Sequence, residues 1–394
     1  MESGISSIYA ENLKYVNGLQ LVEGDDYSLI ITLSQAVPFF EYNLTFPILS
    51  EEFYFDENFV DTDKNQIPVG TGMFKIESND SNVIKLIKNE EYWNSAKNPM
   101  IEEIAIHLYK SMGEVYNAFK SGEIDILTVK TNNVEDYIGT LGYNKLEYKS
   151  RKYDFLAFNT LEGIYSDPAV RKAVSLIIDK NAIIAKYLGT GFVVSNFSLD
   201  MGEWLYIRDL NVEQNLEEAF KILQEAGWVF KSNAWLKDRT RLALNISVNG
   251  EDEKKCEVAE EIAEQLRNVG ITTTVNRISK DKYLDMLKNK NFECVLTGIE
   301  ASFSPSLNTF FGENNLANYN NQEMLELINK TENTNDEGVM YDSYREIYDK
   351  YLEEAPYIGL YRNTDIVIYN QGLVGQISPN RFNLYHNIEK WYRQ

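Results

Sequence analysis

Alternating apolar and polar positions mark strands in the first part of the chain. "YSLIITL" (27–33) reads as a strand, and "GMFKIES" and "NVIKLIKN" alternate on either side of an Asn-Asp-Ser turn, the pattern of a hairpin. "IEEIAIHLY" adds another alternating strand, whereas "AVPFFEYNLTFPIL" is too rich in proline and aromatic residues for a regular helix. The period then changes. In "SMGEVYNAFKSG", Val115, Ala118 and Phe119 recur at helical intervals, and Gly122 predicts the C-cap.

Helical periodicity dominates the second half. Asp167 followed by Pro168 predicts a helix start, because an Asp side chain caps free amides and Pro fits the first turn. Val170, Ala173, Val174, Ile177 and Ile178 then form one apolar face. "NLEEAFKILQEAGW" reads as a helix ending at Gly227, "RLALNISVN" as a strand, "KKCEVAEEIAEQLRNVG" as a helix and "ITTTVNRI" as a strand. That order has the length of a parallel β-α-β crossover. "NFECVLTGIE" adds a strand, and 322–332 and 337–353 read as amphipathic helices. The pattern is α/β with more than one lobe.

Composition narrows the function. At 394 residues the chain can bury two or three cores, and 44% hydrophobic with 25% charged residues describes an ordinary globular protein. A formal charge of -22 repels nucleic-acid phosphates and anionic membrane surfaces, and "KSRK" (149–152), the densest basic run, reads as a solvated turn. The 26 Tyr and 19 Phe suit surfaces that are both apolar and hydrogen-bonding. Cys256 and Cys294 fall on a helix and a strand and read as buried thiols. His107 and His386 lack partners at metal spacing and read as structural, so no metal or other cofactor is expected. No signal peptide or long apolar run stands out.

One stretch, "FKSGEID" (119–125), invites a catalytic reading. Glu123 and Asp125 sit two residues apart behind a glycine, and paired carboxylates can do acid and base work. They alternate with Ile124 and Ile126, however, so they are expected on one exposed strand face, with no His, Ser or Cys set beside them. No catalytic residues are assigned, and the chain is not expected to be an enzyme.

Five strings then carry a resemblance in order: "VGTGMFKI", "KNEEYWNSAKNPMIEEIAIHLY", "AFKSGEIDI", "DPAVRKAVSLIIDKNAIIAKYLGTG" and "EEAFKILQEAGW". Together they resemble the family 5 extracellular solute-binding proteins, the oligopeptide and dipeptide receptors of ABC importers. The resemblance implies a two-lobed, type II periplasmic-binding-protein-like α/β fold and a peptide or peptide-like solute held in an interlobe cleft. It also implies ABC permease subunits as partners and a monomer at the outer face of the membrane or in the periplasm, lipid-anchored in full length. Expected divisions are a remnant strand region at 1–35, part of lobe I at 36–159, lobe II at 160–364 and a return to lobe I at 365–394. Segments near 153–160 and 360–366 would be the hinge. Because "DDYSLIITLSQAVPFF" resembles a strand that family members carry much later, about the first third of a full receptor is expected to be missing.

Carried over by position, the implied ligand strand falls on "GIEASFSP", where Gly298, Ile299 and Glu300 would offer backbone groups to the solute. Ser302 occupies the place of an aspartate that pairs with a peptide's α-amino group. Either Glu300 replaces it or the solute is not an ordinary free-amine peptide. Asn314 matches a cleft asparagine, and Phe155, Asn159, Tyr361 and Arg362 lie on the crossing segments, where core or hinge packing is the alternative role. Other readings are a receptor for oligosaccharide or a nickel complex, or the sensor domain of an intracellular transcriptional regulator.

Overall fold

A computed structural model describes residues 13–35, 37, 39–45, 48–55, 62–129, 134–161, 163–199, 204–206, 210, 212–302 and 304–394. Residues 1–12 of the expected leading region, positions 36, 38, 46 and 47 of the proline-rich stretch, and Phe303 of the expected ligand strand lie outside the described residues. Two compact units form: the described residues of Met1–Thr45 with Arg151–Arg362, and of Phe46–Ser150 with Asn363–Gln394. Their divisions therefore fall at 45/46, 150/151 and 362/363, against expected divisions at 35/36, 159/160 and 364/365.

The chain enters the first unit with a hairpin, β1 (Val16–Val22) and β2 (Asp25–Leu33), in which Gly24 supplies the positive φ of the turn. The second unit begins with a small antiparallel sheet of β3 (Phe74–Asn79), β4 (Val83–Lys88) and β5 (Glu103–His107). Helix α1 (Met112–Ser121) follows, capped by Ser111, whose hydroxyl accepts from the Glu114 amide, and closed by Gly122 at φ 76°. Strand β6 (Ile126–Val129) comes next. The unit's core gathers Tyr116 and Phe119 of α1, Leu127 and Val129 of β6, and Ile366 and Ile368 from the returning chain.

The 119–125 stretch departs from the strand expected of it. β6 starts only at Ile126, so the period-two geometry does not apply to Glu123 and Asp125. Their side chains part company: Tyr109 donates to Glu123 Oε1 at 2.9 Å, while Asn370 Nδ2 and Arg393 Nη2 reach Asp125 Oδ1 at 3.4 and 3.5 Å. Ile124 packs on the core as its apolar character requires. Each carboxylate ties down a neighbouring segment.

Strand β7 (Tyr143–Phe158) carries the chain into the first unit. There follow α2 (Pro168–Ile177), capped by Asp167, β8 (Phe192–Val194) and α3 (Leu216–Glu225). A short antiparallel meander of β9 (Val229–Lys231), β10 (Ala234–Lys237) and β11 (Thr240–Arg241) leads to β12 (Ala243–Asn249). The expected β-α-β unit is present: α4 (Glu253–Asn268) crosses from β12 to β13 (Thr272–Ile278), and the two strands pair in parallel. Then come α5 (Lys280–Asn289), β14 (Cys294–Glu300), α6 (Gln322–Glu332) and α7 (Glu337–Glu354). β15 (Tyr357–Asn370) takes the chain back to the second unit, which ends on the pair β16 (Leu373–Gly375) and β17 (Trp391–Arg393).

Strand order in the large sheet is β13-β12-β14-β7-β15-β6, with β8 also on β15. Leu244, Ile246 and Val248 point to one face, where Val258, Ala259, Ile262 and Leu266 of α4 join them in a core. Val295 points to the other, into an aromatic core built on Phe155, Phe310, Phe311, Tyr344, Tyr348 and Tyr357. Alternation along β14 thus serves two cores, which is why the strand reads as a nearly continuous apolar run.

Candidate functional site

The phase of hydrogen bonding along β14 decides which of its backbone groups are available. β14 pairs antiparallel with β7 over its full length, Cys294 opposite Phe158 through Glu300 opposite Lys152. The Ala301 amide donates to the Arg151 carbonyl at 2.7 Å, and at the other end the Asn159 amide donates to Glu293 at 2.9 Å. Antiparallel ladders bond every second pair, so the odd-numbered residues of β14 direct their backbone groups at β7. Leu296, Gly298 and Glu300 direct theirs the opposite way. On that side β12 pairs only with Cys294 and Val295. The Leu296 carbonyl accepts from the Tyr283 hydroxyl of α5 at 3.0 Å. Beyond it, among the described residues, no strand pairs with this edge at Gly298 or Glu300. This is an open strand edge two residues long, at the carboxyl end of a strand in an α/β sheet.

Side chains around that edge form charged pairs. Gly298 faces Asp154 of β7, and a Cβ at 298 would collide with Asp154 Oδ1, so only glycine lets the carboxylate lie across the strand. Lys255, in the first turn of α4, donates to Asp154 Oδ1 at 2.6 Å. Burial holds the Asp154 carboxyl above its ordinary value despite Lys255. For Lys255 the attraction of Asp154 outweighs burial and holds the ammonium above its own ordinary value. Glu300 is 65% exposed in its side chain and lies 3.4 Å from Arg151 Nη1. Arg151 Nε also donates to the Ala301 carbonyl at 2.7 Å, which closes off the end of the strand.

The expected site residues separate into groups. Gly298, Ile299, Glu300 and Ser302 share this segment, with Ile299 packed toward the aromatic core and Ser302 exposed, its hydroxyl accepting from the Ser304 amide at 3.1 Å in a turn. Phe155 is buried in the same core, stacked on Tyr153 at 5.3 Å and edge-on to Tyr357. Tyr361 is buried in the opposite core, edge-on to Phe192. Arg362 is fully buried, its Nε donating to Ser195 Oγ at 3.2 Å and its guanidinium lying 5.1 Å from the centre of the Tyr153 ring. Asn159 sits at the other end of β7, its Oδ1 accepting from the Leu161 amide and the Asn318 side chain. Asn314 is exposed at a separate cavity of about 550 Å3 beside Asn308 and Glu332. Its neighbour Asn315 is the buried one, donating to the Gly312 and Tyr319 carbonyls at 2.7 Å each.

Asp154 and Lys255 escaped the sequence reading. Nothing in "KYDFLAFNT" or "EDEKKCEV" marks them as partners, since a cross-strand contact and a helix–strand contact leave no short spacing. The glycine at 298, in an otherwise bulky strand, was the available signal. His107 stacks on Tyr109, with Nδ1 3.6 Å from Glu123, and His386 Nδ1 lies 3.2 Å from the Ser378 hydroxyl. Both cysteines are free and buried. Among the described residues no group of three or more His, Cys, Asp or Glu could hold a metal ion, and no helix is long and apolar enough to cross a membrane.

Residues 2–321 match the family described as bacterial extracellular solute-binding proteins, family 5 Middle. The chain belongs to this family. Among sequence relatives of this family 5 protein is the oligopeptide-binding protein AppA of Bacillus subtilis. The two are 23% identical over 342 residues, which cover 82% of this chain and 62% of that relative. The chain thus spans less than two thirds of that relative's length. Among solved structures it is similar to a putative peptide binding protein AppA from Clostridium difficile, with TM-score 0.79 and 20% identity, covering 98% of this chain and 81% of the other. It is also similar to NikZ from Campylobacter jejuni in complex with Ni(L-His), with TM-score 0.66 and 19% identity, covering 97% and 80%. The family 5 protein shares the fold of these binding proteins.

Proposed function

We propose that this family 5 protein is a solute receptor of an ABC importer and that its solute is a peptide or peptide-like molecule laid along β14. The open edge at Gly298 and Glu300 carries this reading. Two residues whose backbone donors and acceptors face away from β7 suit an extended backbone, which adds as a strand and leaves its own side chains to pockets beside it. Main-chain bonds of this kind hold a peptide with little regard to its sequence. The relative from Bacillus subtilis is an oligopeptide-binding protein, which supports the same class of solute. Glu300, paired with Arg151 yet exposed, and the buried Asp154–Lys255 pair are the charges within reach of the ends of such a solute. The receptor works as a monomer with permease subunits, at the outer face of the membrane or in the periplasm, and is lipid-anchored in full length. Its role is reversible binding without covalent chemistry.

Mass spectrometry of molecules released by denaturing the purified protein tests the reading. Short peptides are the expected result. Release of a metal chelate or a saccharide in stoichiometric amount would overturn it.

A further inference from the structure

Lys180 presents a chemical problem that the proposed solute strand does not solve. It opens the short helix Lys180–Ile183, capped by Asp179, whose carboxylate accepts from the Ala182 amide. The side chain is 5% exposed, and its ammonium donates to Asn196 Oδ1. No carboxylate among the described residues pairs with it, and the shift of its pKa has burial as its only cause. An ammonium has three donors, and burying one without a counter-charge costs several kcal/mol. Two polar side chains of the same cavity spend their donors elsewhere, Ser175 on the Lys172 carbonyl at 2.7 Å and the Gln214 amide on the Ile177 carbonyl at 2.9 Å, and neither brings a negative charge to Lys180.

Lys180 lines a cavity of about 580 Å3, within the range of small-ligand sites. Buried residues, Lys180 and Tyr351 among them, form its inner wall. Exposed acids, Glu213 just before α3 and Asp349 and Glu353 on α7, form its rim. A simple anion entering would meet the rim acids, and a simple amine would meet Lys180. A molecule carrying both charges a few bonds apart suits both.

We propose that this cavity is a second binding site, for a free amino acid, with the ligand's carboxylate on Lys180 and its ammonium at the acidic rim. None of its lining residues belongs to the β14 edge, so the inference stands apart from the proposed solute strand. Burial brings the Lys180 ammonium down to about 7, so above neutral pH the empty site sheds the proton and a bound carboxylate restores it. Among the described residues, the charged and titratable groups that line the cavity with it are Lys172 from α2, Glu213 from the segment before α3, Asp349, Tyr351 and Glu353 from α7, and Tyr357 at the start of β15.

Calorimetry on the full chain with L-alanine, N-acetyl-L-alanine and L-alanine amide tests this, run at pH 8 in two buffers of different ionisation enthalpy. Saturable binding of L-alanine is expected, weaker for both blocked analogues, and accompanied by proton uptake. Lys180→Met should weaken L-alanine by about tenfold or more and abolish the uptake, and Glu353→Gln should weaken L-alanine more than N-acetyl-L-alanine. Equal binding of L-alanine by Lys180→Met and the parent, equal binding of the N-acetylated form, or no saturable binding of L-alanine would each overturn the proposal.

Discussion

Gly298 shows how a single residue constrains the site. Its place opposite Asp154 admits no Cβ, and the Tyr153 carbonyl would lie 3.0 Å from one as well. Gly298→Ala is expected to destabilise the protein by about 2 kcal/mol through overpacking, read as a shift in the urea midpoint with unchanged slope. An unchanged midpoint would mean that Asp154 swings away freely. Lys180 makes a pH prediction. In the unfolded chain its ammonium keeps the ordinary value of 10.5, whereas in the fold burial brings it to about 7. Between those values the unfolded state binds a proton that the folded state does not, so this group removes stability as pH falls from about 10 to 7 and nothing more below that. Replacement by Met should therefore gain on the parent by up to about 1.4 kcal/mol per pH unit lowered across that window. Parallel stability curves for the two proteins would contradict the shifted value. At this scale the sequence was least legible. Ser302 and Glu300 were readable as positions, but the partners Arg151, Asp154 and Lys255 come from elements far away in the chain.

Elements with strong local signals formed where the sequence placed them. The Asp167–Pro168 start gives α2, with the Asp167 carboxylate accepting from the Ala169 amide at 2.9 Å. Asp167→Ala should cost about 1 kcal/mol, measured by thermal unfolding, and Asp167→Asn much less; equal losses would show that charge, not capping, matters there. Helix α5 went unread for a physical reason. "KDKYLDMLKN" buries only Tyr283 and leaves Leu284 53% exposed, so its periodicity is faint. Yet α5 contributes Tyr283, which occupies the first carbonyl of the β14 edge. The strand expected at 123–125 failed because Gly122 caps α1 and the Glu123 and Ile124 amides still bond back to the Ala118 carbonyl, at 2.9 and 3.4 Å, so pairing with the returning chain starts only where the Asp125 carbonyl accepts from the Asn370 amide at 2.8 Å. A two-residue alternation is too short to separate a strand from a turn anchored by side chains.

For the whole molecule, the α/β class and the family were legible because five motifs in order constrain an architecture more than any one of them does. Strands β7 and β15 each run across a division between the two units. Charge and exposed apolar surface also act at this scale. Hairpin β1–β2 exposes Leu19, Leu21, Leu29 and Ile30, and the net charge of -22 opposes contact between copies. Sedimentation is expected to show a monomer at low salt and association as salt screens the charge, reversed by Leu19→Lys with Leu21→Lys. Association unaffected by these changes would place the contact elsewhere.

The central claim is that a peptide-like solute bonds to the free edge of β14. Residue-resolved amide exchange with and without saturating tri-L-alanine addresses it directly, because neighbouring amides must behave differently. The Ile299 amide already faces β7, whereas those of Gly298 and Glu300 face away from it. The account predicts that solute slows exchange at Gly298 and Glu300 by about tenfold or more and leaves Ile299 nearly unchanged. Uniform protection of all three residues, or no protection at Gly298 and Glu300 while the peptide binds, would contradict it.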